Sequence, residues 1–552
     1  MSSSITPTPE LLRNLTAVRR HQPEVAHRLS MSVAEGHVLM SPLRLRQHRS
    51  VYTLSVNPEA LSAVEDLAGD GTILVFGVGD GELVQAVLQA HPGATVTAWD
   101  RDPFMLKLAM SRYDFSSDVA SGRLRWSLCE GLRDLVQSPC DEVVLHPLLH
   151  QVYIHEHRML KLDSEAPTVL VCAGGLFVDD VSECFENAGM GVFTWEISRM
   201  SPEGLQAVAD RVKPEFVFAI NYTTGLAEAC SALGIPLLVW EIDPSTDGLQ
   251  PVGGSTEHVQ IHTYRASNVE RFEAAGFRNV SYTPLAANTI KRCPPEEPVA
   301  PGPEVCFVGA SMVDQAQYFK GLFLRCWVEH LGGNSSAQQH GESVLEAILA
   351  AQRARPRQHI VPELMLRHIP DFVAATEGKI GHDPVALLSE MAAAERRLNV
   401  VAKLGGEGIH VWGDPGWRVV EGYGAAYRGF AGHRVELTEI YRAGKIHVDI
   451  NRLYQLDIVP MRVFDILACG GFLIAEYSPA LAECFEVGKE LETWDSVPEL
   501  IEKVRYYKDH PEEAFIIAQR GLDAIRTRHS IAGRLFGMLR DLPRKTEISA
   551  VG

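Results

Sequence analysis

Three times along the chain an apolar run of strand length breaks at glycine and gives way to a segment of helical periodicity. Thr72–Phe76 stops at Gly77-Val78-Gly79-Asp80-Gly81, after which Leu83, Val84, Val87 and Leu88 recur on one helical face. Pro167–Cys172 is followed by Gly174-Gly175 and a helix-like stretch over Val178–Ala188, and Glu304–Val308 by Gly309. Strands alternating with helices at this spacing specify parallel, doubly wound sheets, because strands that run the same way need a crossover long enough to hold a helix. A chain of 552 residues exceeds one hydrophobic core, and about 150 residues per domain predicts three or four. The expected fold class is α/β, with three doubly wound domains, the last two forming a clam-shell, and a helical insertion.

Domain bounds follow from where the alternation stops and restarts. Residues 1–50, with Arg13, Arg19, Arg20, Arg44 and Arg46 among apolar positions, read as a helical arm. The first Rossmann-like domain occupies 51–164, with further strands at Ala94–Trp99, Leu124–Leu128 and Glu142–Leu145. The second covers 165–300, with strands at Val192–Trp195, Phe216–Ile220 and Pro236–Trp240 and a helix at Pro202–Val212. Its end, Arg292–Pro303, is proline-dense and reads as a linker. The third covers 304–540, with strands at Gly408–Trp412, Ile446–Ile450 and Gly471–Ala475, a charged helical insertion at 315–398 and a tail at 541–552.

Charge and cysteine usage narrow the partners. Lys+Arg 51 against Asp+Glu 70 gives a net charge of −19, which repels phosphate backbones, so nucleic acid is not an expected partner. Ten cysteines lie scattered without a C-x-x-C pair, mostly in apolar stretches, and read as reduced thiols. No run of about 18 apolar residues and no apolar signal core after Met1 occur, so a cytoplasmic location without a transmembrane segment is expected.

The segment Asp457-Ile458-Val459-Pro460-Met461-Arg462-Val463-Phe464-Asp465-Ile466-Leu467-Ala468-Cys469-Gly470-Gly471 carries the densest chemistry. Proline suits a helix start and glycine its C-terminal cap, so a helix is expected from about Pro460 to Ala468. Its free N–H groups and positive dipole end suit a diphosphate, and Arg462 in the first turn can bind phosphate oxygens without a metal. Asp465 can accept the two hydroxyls of a ribose. The plainer reading stays open beside this one: Met461, Phe464 and Leu467 form core, and Arg462 with Asp465 at i, i+3 forms a surface ion pair.

Asn451–Tyr477 (NRLYQLDIVPMRVFDILACGGFLIAEY), Leu481–Glu486, Tyr506-Tyr507 and His529 resemble the C-terminal signature of the CgeB-like (spore maturation protein) glycosyltransferases. Val305–Gly309, His410–Trp417, Tyr441–Ile450 and Trp240–Pro244 extend the resemblance over roughly 165–540. That family belongs to the GT-B class. The resemblance implies a UDP-, GDP- or dTDP-linked sugar donor on the C-terminal domain, with the ribose at Asp465 and the diphosphate near Arg462. Gly309, Gly413, Asn451, Met461 and Phe464 would complete the donor site. Asp457 falls where related retaining enzymes place the first of two glutamates, and both acids here are one methylene shorter. No D-x-D motif stands where a metal would be needed, so no metal is expected. The sugar would pass to a protein or glycan hydroxyl. On the acceptor side Glu241, Asp243 and Asn221 close strands, where a carboxylate such as Asp243 can act as general base or simply cap a loop.

The first domain carries a second nucleotide pattern. Gly77, Gly79 and Gly81 follow a strand, and Asp100 closes the next one nineteen residues beyond Gly81. With Asp102-Pro103 and Ala109, this resembles the S-adenosylmethionine-binding methyltransferase fold. It also resembles the Rossmann unit of bacterial motility accessory factors, which accompany flagellin glycosylation; flagellin is thereby one candidate acceptor. The fourth strand leads into Leu145-His146-Pro147 rather than an Asn-Pro-Pro-Tyr motif, so cofactor binding and a scaffold or docking role both stay open. His146, His150, His155 and His157 do not fall on one helical face and read as loop and helix start rather than a metal site. Two alternatives to sugar transfer remain: an S-adenosylmethionine-dependent methyltransferase, and a catalytically silent nucleotide-sugar-binding assembly protein.

Overall fold

The computed structural model describes residues 7–31, 37–40, 43–47, 50–69, 71–128, 131–153, 156–157, 160, 166–173, 176–195, 206, 208–209, 212–243, 249–297, 299–300, 302–333, 336–376, 383–432, 435–455 and 457–542. Gly174-Gly175, His155, Pro244, Pro298, Pro301 and most of the helix expected over Pro202–Val212 lie outside these residues. By internal contacts the chain divides into two units, one built mainly from Met1–Val239 with Val252–Val259, the other from Trp240–Pro251 with Gln260–Leu542.

The N-terminal arm holds two helices, Pro9–His21 and Pro23–Met31. It then turns into an antiparallel sheet of β1 (His37–Met40), β2 (Leu43–Gln47) and β3 (Ser50–Thr53), which the helical expectation for residues 1–50 did not include. Three parallel sheets follow, as the alternation predicts. The first holds β4 (Thr72–Phe76), β5 (Thr95–Asp100), β6 (Leu124–Leu128) and β7 (Glu142–Leu145) in the order β6-β5-β4-β7. The helix Glu82–Ala90 buries Leu83, Val84, Val87 and Leu88 in the same core as Ile73 and Val75.

The second sheet holds β8 (Thr168–Cys172), β9 (Gly191–Trp195), β10 (Phe216–Ile220), β11 (Leu237–Glu241), β12 (Val259–Thr263) and β13 (Asn279–Tyr282), in the order β13-β12-β11-β10-β8-β9. The third holds β14 (Val305–Val308), β15 (Ile409–Trp412), β16 (Ala426–Tyr427), β17 (Ile446–Val448), β18 (Leu473–Glu476) and β19 (Glu492–Trp494), in the order β16-β15-β14-β17-β18-β19. The chain reverses direction of travel between β14 and β17, and open α/β sheets bind ligands in the crevice beyond the carboxyl ends of strands at such a switch point.

Between β14 and β15 stands the expected insertion, with five helices among the described residues, Val313–His330, Ala337–Arg353, Val361–His368, Pro370–Thr376 and Pro384–Leu404. It has its own core around Phe323, Trp327, Ile348, Met365, Phe372 and Leu388. The last helix is capped by Asp383, whose side chain accepts from the Val385 N–H, with proline in its first turn. The proline-dense stretch is tied down near both of its ends. Arg442 Nε donates to the Cys293 carbonyl at 2.7 Å, and the Gly302 N–H to the Ala443 carbonyl at 2.9 Å, fixing the stretch to the helix Glu436–Ala443.

Candidate functional site: the carboxyl edge of the third sheet

The helix expected from Pro460 runs over Met461–Ala468. Pro460 is the N-cap, and the chain leaves through Gly470 at φ +76°. Its first turn faces the switch point. Arg462 Nε donates to Asp449 Oδ1 at 2.8 Å, Nη1 donates to the Val308 carbonyl at 2.9 Å, and Nη2 also bonds Asp449 Oδ1. One guanidinium thus ties the end of β14 to the residue that follows β17. It lies 5.0 Å from the Phe307 ring centroid, and a Cβ on Gly309 would come within 3.1 Å of Nη1. Gly413, just past β15, packs so closely on the same turn that a Cβ there would stand 2.2 Å from the Gly309 carbonyl oxygen.

A second and third arginine reach this edge from the insertion. Arg397, on the buried face of the helix Pro384–Leu404, donates to the Ala310 carbonyl at 2.9 Å and to the Ile450 carbonyl at 3.0 Å. Burial, and then the neighbouring Arg462 and Arg452, pull its pKa down to about 9, which leaves it charged at neutral pH. Arg396 pairs with Glu476 at the end of β18, through Nη1 to Oε2 at 2.9 Å and through Nη2 to Oε1. Burial pushes the Glu476 carboxyl up, and Arg396 opposes that. Sequence reasoning missed both arginines. A signal existed for Arg397, which shares its helical face with the buried Ala393, Ala394, Val400, Val401 and Leu404.

This network does not close. Asp449 Oδ2, Asn451 Oδ1 and Arg397 Nε are buried without a partner among the described residues. Buried polar groups are normally paired, and leaving one unpaired costs on the order of 1–3 kcal/mol. Two acceptors and one donor therefore stand unmet beside the switch point.

Of the expected donor-site residues, Gly309, Gly413, Asn451 and Arg462 come together here, with Met461 in the first turn of the helix. Phe464 and Asp465 point elsewhere. Phe464 is fully buried against Phe485 and His529. Asp465, also buried, lies 3.4 Å from Arg292 of the proline-dense stretch. The i, i+3 pair of Arg462 with Asp465 is not the contact either residue makes here: Arg462 takes Asp449, thirteen residues back.

Asp457 and Asp243 share a neighbourhood around Tyr264. Asp457 Oδ2 accepts from Arg265 Nε at 2.7 Å and from Ser267 Oγ at 2.8 Å. Burial works against the charge, but these bonds and the Arg265 charge hold the Asp457 carboxyl below its usual range. Burial first, and then Glu241, Asp243 and Asp457, push the Tyr264 hydroxyl up to about 12, with Arg265 opposing. Glu241 is wholly buried, accepting from Thr263 Oγ1 and from Asn268 Nδ2 at 3.1 Å, which is a loop-holding role. Asp243 is exposed. Asn221 follows β10 with φ +61°.

Among the described residues no group of three or more His, Cys, Asp and Glu stands close enough to hold a metal ion, and no helix is long and apolar enough to cross a membrane.

A family profile described as glycosyl transferase-like matches residues 391–540. The chain thus carries a glycosyltransferase domain. The match begins inside the insertion's last helix and takes in Arg396, Arg397, Asp449, Asn451 and Arg462. No curated protein matches the sequence. Similar solved structures include Anabaena HepE in complex with UDP and glucose, at 11% identity over 68% of this chain and 99% of that one, TM-score 0.37. A glycosyltransferase from Rickettsia africae is similar at 10% identity over 70% and 100%, TM-score 0.41. Sucrose-phosphate synthase from Thermosynechococcus elongatus is similar at 11% identity over 68% and 99%, TM-score 0.37.

Proposed function

We propose that the protein transfers a sugar from a nucleoside-diphosphate donor to a hydroxyl of a protein or glycan, as a CgeB-like enzyme of the GT-B class. The observation that carries this reading is the incomplete polar network at the β14/β17 switch point, inside the segment matched as glycosyl transferase-like. In this reading residues 304–540 form the donor domain and 165–300 the acceptor domain. The chemistry needs positive charge where the diphosphate leaves and acceptors where sugar or ribose hydroxyls bind. Arg462 commits four of its five N–H groups to Asp449, Val308 and Ile450, leaving one on Nη1 above Gly309. That N–H, with the free amides opening the helix at Met461, suits a diphosphate and stabilises its charge as the sugar departs, without a metal.

Asp449 Oδ2 and Asn451 Oδ1 suit donor hydroxyls. Asp457, kept ionised by Arg265 and Ser267, can accept a hydrogen bond from the sugar but cannot serve as the acid. Asp243, exposed beyond β11, is the candidate base toward the acceptor. Asp465, paired with Arg292, reaches a ribose only if that pair opens. The nucleotide-sugar chemistry and the reduced cysteines support a cytoplasmic location.

Calorimetric titration of the full chain with UDP-, GDP- and dTDP-sugars, in EDTA, tests the reading. One donor class is expected to bind, with Arg462→Ala weakening it at least tenfold. Binding of none, or binding indifferent to Arg462→Ala, would sink the assignment.

A further inference from the structure

The first parallel sheet carries the glycines and the acid of a nucleoside site, yet its residues as folded do not fit S-adenosylmethionine. Both oxygens of Asp100 are taken. Oδ2 accepts from the Val78 N–H at 2.7 Å; Oδ1 accepts from the Asp102 N–H at 2.9 Å and from the Tyr153 hydroxyl at 2.8 Å. Asp100 is wholly buried and Tyr153 nearly so.

The face of the glycine loop is filled as well. A Cβ on Gly77 would meet Leu149 at 2.7 Å, and one on Gly79 would meet His146 Nε2 at 2.5 Å. The ring of Tyr153 packs edge-on to Phe76 and Trp99, which stack on each other at 4.6 Å. Arg101 caps the same ring at 4.6 Å and is tied down by Glu156 at 3.0 Å. His146, Leu149 and Tyr153 therefore occupy the volume between the glycine loop and the end of β5, where a nucleoside would lie in a doubly wound sheet.

We propose that Tyr153 is a built-in substitute for a ribose hydroxyl, which closes this sheet to nucleosides and makes the chain's own Tyr153, with His146 and Leu149, the occupant of the site. A phenol hydroxyl and a ribose hydroxyl make the same demand on a carboxylate, each donating one hydrogen bond. The internal donor has the advantage of already being ordered, so a free nucleoside must displace a packed aromatic cluster to compete. This proposal does not rest on sugar transfer, and donor binding at the third sheet can be measured in the same samples.

The experiment is calorimetry of the full-length protein with S-adenosylmethionine and with NAD as separate probes. The wild-type chain is expected to show no saturable binding up to about 1 mM. Tyr153→Ala should bind one of the two probes at least tenfold more tightly than that limit, and Asp100→Asn placed on top should abolish the gain. Tyr153→Phe keeps the ring packing and removes only the donor, so it serves if the alanine variant fails to fold; a weaker gain of the same kind is expected. Three outcomes overturn the proposal: saturable wild-type binding lost in Asp100→Asn, no gain in any folded Tyr153 variant, or a gain that survives Asp100→Asn.

Discussion

The first and third parallel sheets share one strand order through their first four strands, β6-β5-β4-β7 against β16-β15-β14-β17. They also share a device: an acid at the end of the second strand, or two residues past it, holds the amide of the first loop, Asp100 on Val78 at 2.7 Å and Asp414 on Ser311 at 2.6 Å. Both helices after that loop open on a left-handed residue, Gly81 and Met312. The difference lies at the crevice. In the first sheet the strand-end carboxylate itself is fully partnered, although His146 Nε2, Trp99 Nε1 and Glu156 Oε2 near it have no partner among the described residues, whereas in the third the carboxylate Asp449, with Asn451 and Arg397, is itself left with an unmet atom. A doubly wound sheet offers a place for a ligand; whether the place becomes a site depends on what the neighbouring segment fills.

Breaking the third sheet's network should have the largest effect. Asp449→Ala strands the mostly buried Arg462, and removing one member of a buried pair costs about 3–5 kcal/mol. Urea denaturation followed by peptides of β14–β18 should show it, and a loss below about 1 kcal/mol would mean that the pair is solvated. The next effect is a pH dependence at Asp100. Burial, against the bonds from Asp102, Tyr153 and Val78, pushes Asp100 up to about 7 from 3.8. A carboxyl whose pKa rises on folding is stabilised in its protonated form, so this contribution is full below about pH 4 and lost as pH rises through 7. Between pH 5 and pH 8 it amounts to about 2–3 kcal/mol. Hydrogen exchange of β4 and β5 amides should speed up over that range, and Asp100→Asn should flatten the dependence. A wild-type profile already flat would contradict the sealed carboxyl.

Smaller effects separate the two glycine turns. Gly79→Ala forces φ +59° on a residue whose Cβ meets His146, costing roughly 1–3 kcal/mol in the first unit with no change in donor affinity. Gly309→Ala meets Phe307 at 3.0 Å and Arg462 at 3.1 Å, so it should cost less than about 1 kcal/mol of stability but weaken nucleotide-sugar binding several-fold. Thermal melts and calorimetry on the two variants check the contrast; equal behaviour would erase it.

The strands that ride on long apolar runs were legible from sequence: Thr72–Phe76, Thr95–Asp100, Thr168–Cys172, Phe216–Ile220, Val305–Val308 and Ile409–Trp412 all sit where the alternation places them. The strands it passed over lack that signature. β12 is wholly buried yet reads Val-Gln-Ile-His-Thr, with polar partners that only folding brings up, as when Thr263 meets Glu241 and His262 Nδ1 meets Thr283. β16 has two residues and β19 three, too few for any periodicity. The site was half legible. The Pro460 helix start and Arg462 follow from local rules, but the partners of Asp457 and Asp465 come from Arg265 and Arg292, far away in sequence. Spacing along a helix could suggest that these acids matter and could not say which cation each would meet.

The insertion's last helix has a bearing on how the chain can be shortened. Of the insertion's helices, Pro384–Leu404 lends the sheet edge two guanidiniums. A trimmed enzyme that keeps Val313–His330 and rejoins it before Asp383 would retain the crevice's positive charge. One that excises the whole insertion up to Ile409 would keep all six strands but, of the three guanidiniums, only Arg462. The smallest working piece is therefore set by Arg396 and Arg397, not by the strands.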